Sequence, residues 1–79
     1  MPEIFRFFGF SFFFYSKEHE PIHVHVEGEE GFAKYDYTGT SFELRESKGL
    51  KAGSLKKIKQ VIDENQDIIV SRWNEYFNK

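Results

Sequence analysis

Residues 22–37 read IHVHVEGEEGFAKYDY, and the parity of this stretch decides the fold. Ile22, Val24 and Val26 alternate with His23, His25 and Glu27, the period-two pattern of a half-buried strand. GEEG at 28–31 supplies a turn, after which Ala33, Tyr35 and Tyr37 alternate with Phe32, Lys34 and Asp36. Two such runs joined by a short glycine-bounded turn predict an antiparallel hairpin with one apolar face.

Upstream, residues 3–15 (EIFRFFGFSFFFY) hold seven of the ten Phe, a density that favours strands over helix. Gly9 divides them, so either two short strands meet at a tight turn or bulge, or one longer strand kinks there. Phe10, Phe12 and Phe14 would face one way, and Ser11, Phe13 and Tyr15 the other. SKEHEP at 16–21 is a polar loop ending in proline. Downstream, Gly39 marks another turn and a short strand is expected over residues 41–44.

From about residue 52 the apolar period lengthens. Leu55, Ile58, Val61 and Ile62 fall at helical spacing, with Ser54 as a candidate N-cap. DENQD at 63–67 interrupts the pattern, with Asn65 placed to end one helix or cap the next and Asp67 suited to a first turn. Ile69, Trp73, Tyr76 and Phe77 then form a second stripe. The expected fold is α+β: an antiparallel sheet of three to five strands, followed by two C-terminal helices packed on one face.

The chain has 79 residues, which predicts a single domain over 1–79, with strands mostly in 1–45 and helices in 52–78. It has no cysteine, so disulfides, thiolate metal sites and cysteine nucleophiles are excluded. Ten Phe, four Tyr and one Trp make up about half of the apolar residues and supply the core. The 11 basic and 13 acidic side chains give a net charge of −2, unlike a dedicated nucleic-acid binder. The charges are unevenly placed. Residues 17–36 hold Lys17 and Lys34 against Glu18, Glu20, Glu27, Glu29, Glu30 and Asp36, whereas residues 48–59 carry five lysines and no acid. The aromatic N-terminal run lacks the basic leader and cleavage site of a secretory signal and is too short to span a bilayer. A cytoplasmic protein without a membrane segment is the expectation.

The stretch FFGFSFFFYSKEHEPIHVHV, together with Met1-Pro2, Ile4, Gly49-Leu50 and Trp73-Asn74-Glu75, resembles a family of small bacterial proteins called domain of unknown function 4160. The block from His19 to His25 is the most specific part, and it departs from the family pattern where Ile22 replaces a second proline. The resemblance implies one half of a two-gene unit, adjacent to a second small protein and similar to a toxin–antitoxin pair. It supplies no catalytic residue.

Chemistry must therefore be argued from the residues. His23 and His25 would project from one face with Cα atoms roughly 6.6 Å apart. His19 lies four residues upstream of His23, so a three-histidine set with Glu27 as a further ligand is a candidate zinc site, at Zn–N distances of about 2.0–2.1 Å. With an open position it could activate water, which makes His19, His23 and His25 the catalytic candidates of a histidine-dependent, metal-assisted nuclease or hydrolase. The competing structural reading has His23 and His25 as solvent-facing strand residues and His19 as a loop anchor. It ranks above metal binding, and metal binding above catalysis, because no separate nucleophile or general acid completes a mechanism. Lys56, Lys57 and Lys59 are candidate phosphate contacts, ranked below a solvated helix face. Phe13, Tyr15, Trp73 and Tyr76 are candidate interaction residues, Trp73 and Tyr76 having core closure as their first role. A protein–protein interaction module, with a small protein encoded nearby or a second copy as partner, ranks first. The hydrolase is the alternative.

Overall fold

A computed structural model describes residues 3–15 and 21–77. Five strands form one antiparallel sheet in simple sequence order: β1 (Glu3–Phe7), β2 (Phe10–Phe13), β3 (His23–Glu27), β4 (Phe32–Tyr37) and β5 (Phe42–Lys48). Two helices follow, α1 (Ala52–Glu64) and α2 (Gln66–Phe77). The aromatic N-terminal run resolves into a hairpin, with Phe8 and Gly9 at its tip and both at positive φ. The alternative of one kinked strand is ruled out.

Parity sorts the side chains as the sequence predicts. Phe10, Phe12 and Phe14 join Val24, Val26, Ala33, Tyr35 and Phe42 beneath Ile58, Val61 and Ile62 of α1 and Ile69 and Trp73 of α2. The opposite face of the sheet carries Phe13, His25 and Lys34 in one cross-strand row, and Ser11, Glu27 and Phe32 in the next. The helices thus cover one face.

β5 runs to Lys48, well past the short strand expected at 41–44. Only Phe42 of its seven residues is buried, so this edge strand carries no apolar alternation to read. A bulge between β4 and β5 passes over Arg45, whose guanidinium donates to Asp36 at 2.7 Å.

Ser54 is not the N-cap of α1. Lys51 occupies that position without a side-chain cap, and Ser54 sits within the first turn, donating to the Glu30 carboxylate at 2.5 and 2.9 Å. The negative charge that favours a helix N-terminus therefore comes from the β3–β4 turn. That turn is pressed against the β5–α1 linker: a Cβ on Gly31 would overlap the Lys48 carbonyl, and Gly49 adopts φ +81° against Glu30. Asn65 ends α1, its side-chain amide donating to the Val61 carbonyl at 2.8 Å, and its own carbonyl accepts from Ile69 of α2 at 3.0 Å. Asp67 lies in the first turn of α2, as its sequence position predicts. Gln66 ties the start of α2 to the β4–β5 turn by donating to the Thr40 carbonyl at 2.8 Å.

Burial foremost, and then the charge of Asp63, push the Tyr35 phenol above its ordinary value of 10.0. The folded protein holds that proton more tightly than the unfolded chain, so the associated stability is complete below pH about 10 and is lost as pH rises through the folded value. Denaturant midpoints measured upward from pH 9 should fall less steeply in Tyr35→Phe than in the parent. Parallel curves would contradict the shift.

Candidate functional site

The helix-free face of the sheet is built around β3. His25 is flanked by Phe13 of β2 and Lys34 of β4, its register partners. Its imidazole stacks on Phe13, with ring centroids 5.6 Å apart and planes 19° apart. Tyr15, just beyond β2, closes edge-on against His25 at 4.3 Å and against Phe13 at 5.4 Å. Phe13 is buried although no helix among the described residues covers its side of the sheet. Tyr15 keeps 47% of its surface exposed and Phe32 keeps 37%. A depression of about 160 Å³ lies among Phe13, Tyr15, His25, Glu27 and Phe32.

Two polar clusters flank it. At the β1 side, the Ser11 hydroxyl donates to Glu3 at 2.6 Å and Arg6 donates at 3.0 Å. The Ser11 bond first, and Arg6 second, hold the Glu3 carboxyl below its usual range despite an opposing desolvation. At the β5 side, the hydrogen bond and charge of Asp36 raise the Arg45 guanidinium further.

The histidines divide. His23 is only 6% exposed, which corrects its expected solvent-facing position. Its Nδ1–H donates to the Pro21 carbonyl at 2.7 Å, and its ring lies 5.1 Å from Trp73 and 5.2 Å from His25. A carbonyl only accepts, so the Nδ1 proton is fixed and ligation by His23 would fall to Nε2. His19 lies outside the described residues. Among the described residues, no three His, Asp or Glu side chains are grouped to hold a metal ion, so His23, His25 and Glu27 do not make a site by themselves.

The remaining candidates are dispersed. Trp73 is buried in the core against Phe14 and Phe77, while Tyr76 is partly exposed on α2. Lys57 stands 5.6 Å above the Phe8 ring, Lys59 pairs with Asp63 at 2.7 Å, and Lys56 borders a cleft between α1 and β5. Lys57 and Lys59 are thus drawn to different neighbours. Phe32 is not among the interaction candidates that the sequence offers; its parity with His25 across the hairpin is the signal that places it on this face.

No helix among the described residues is long and apolar enough to cross a membrane. Neither a curated protein nor a solved structure matches the chain. A family model does match, over residues 9–74, a span that holds both strands of the histidine hairpin, the aromatic face and nearly all of the two helices. The chain belongs to the family described as Domain of unknown function (DUF4160).

Proposed function

We propose that this protein is an interaction module, acting in the cytoplasm as one component of a toxin–antitoxin-like pair, and that it holds a small protein partner on the helix-free face of its sheet. The observation that carries this reading is the partly exposed pair Tyr15 and Phe32, set around the stacked Phe13 and His25. Aromatic side chains with rigid backing are effective interface anchors, because little rotamer freedom is lost when they are covered. Light scattering of the purified protein, alone and mixed with the small protein encoded beside its gene, tests this. A mixed species with the summed mass is expected; two unchanged masses, or self-association of this chain alone, would contradict it.

The contact between the His23 and His25 rings supports a second reading, the histidine-dependent, metal-assisted hydrolase completed by His19. Zinc would then raise the melting temperature of the parent and not of His25→Ala. Equal responses would remove that reading.

A further inference from the structure

The depression on the helix-free face has a composition that selects its occupant. Among the described residues, it is bordered by the rings of Tyr15 and Phe32, floored by the Phe13–His25 stack, and carries one charged side chain, the carboxylate of Glu27. Aromatic faces present negative potential, and a carboxylate adds a full negative charge. Exposed Glu29, in the adjoining turn, has the same sign. Lys34, the nearest cation by register, stands opposite Glu46 in the β4–β5 ladder. At about 160 Å³ the space suits the head of a single side chain rather than a nucleotide or a peptide segment.

Resting on the interaction reading above, we propose that this depression receives a basic side chain, an arginine guanidinium or a lysine ammonium, from the partner protein. The cation lies against the Tyr15 and Phe32 rings and is paired with the Glu27 carboxylate. Arginine is the better fit, because its planar head stacks on aromatic rings while its N–H groups reach a carboxylate.

An NMR titration of the full chain with N-acetyl-arginine amide, beside the neutral near-isostere N-acetyl-citrulline amide, tests the proposal. The arginine probe should saturate the shifts of Tyr15, His25, Glu27 and Phe32 and bind roughly tenfold more tightly than the citrulline probe, about 1.4 kcal/mol. Glu27→Gln and Tyr15→Ala alter exposed positions and should fold, yet each should weaken arginine binding several-fold. Equal binding of the two probes, no saturable shift at these residues, or affinity unchanged in both variants would overturn the proposal. The mass measurement separates the two ideas: a mixed complex that forms with undiminished affinity in Glu27→Gln keeps the interaction module and removes the cation.

Discussion

Replacing Trp73 by alanine should leave the protein at the edge of unfolding. Trp73 is 1% exposed and touches Phe14 of the β1–β2 unit, His23 of β3 and Phe77 of its own helix, with centroids 5.2, 5.1 and 4.3 Å away. It is the side chain through which α2 grips the end of the sheet. Truncating a buried tryptophan costs about 3–5 kcal/mol. A chain of 79 residues has a total stability of about 4–12 kcal/mol on the usual per-residue scale. The loss is therefore a large share of the whole, and urea denaturation should show the midpoint falling by at least about a quarter. A change below about 1 kcal/mol would mean that α2 is not held by this residue.

The second large effect is a contrast between two glycines. Gly31→Ala forces a methyl group into the Lys48 carbonyl, and that linker has little room to retreat, because even a Cβ on the adjoining Gly49 would overlap the Glu30 carbonyl. Overpacking of this kind costs about 1–3 kcal/mol. It should also loosen the Ser54–Glu30 contact, which anchors the start of α1 on the same turn. Gly53, by contrast, lies inside α1 with nothing within 4 Å of its would-be Cβ. Gly53→Ala should stabilise the protein by up to about 1 kcal/mol through helix propensity. Thermal melts of the two variants should move in opposite directions. Movement in the same direction would show that the turn–linker contact does not govern the docking of α1.

Most of the fold is legible in the sequence because burial and strand period agree. Val24 and Val26 against His25 and Glu27, and Phe10, Phe12 and Phe14 against Phe13 and Tyr15, land on the sides that parity assigns. The helices follow for the same reason, since Ile58, Val61 and Ile62 form one buried stripe. What escapes is set by contacts distant in the chain. β5 is held by backbone pairing to β4 and displays charges outward, so its side chains carry no strand signal. Ser54 looks like a cap locally, but the α1 N-terminus is supplied with charge by Glu30, 24 residues earlier. His23 reads as a surface residue from its strand and is buried because Trp73 comes up against it.

The candidate site is legible in part for the same reason. The sequence offers Phe13 and Tyr15 as interaction candidates and His25 as a metal or strand residue, and it takes the β2–β3 register to set Phe13 beside His25. Their mutual stacking, with Phe13 buried and Tyr15 and Phe32 exposed, depends on the β2–β3–β4 register. The site therefore draws rings from three strands, and the exposed ones adjoin the carboxylate of Glu27.

The most direct measurement is the dissociation constant for the proposed partner, a small protein encoded nearby, taken for two double variants. Tyr15→Ala/Phe32→Ala strips the exposed rings from the sheet face, and Ile68→Ala/Tyr76→Ala strips exposed apolar side chains from α2. The first pair should weaken binding by roughly tenfold or more, and the second by no more than about twofold. Strong loss in the α2 variant with the sheet variant unaffected would contradict recognition through the helix-free face.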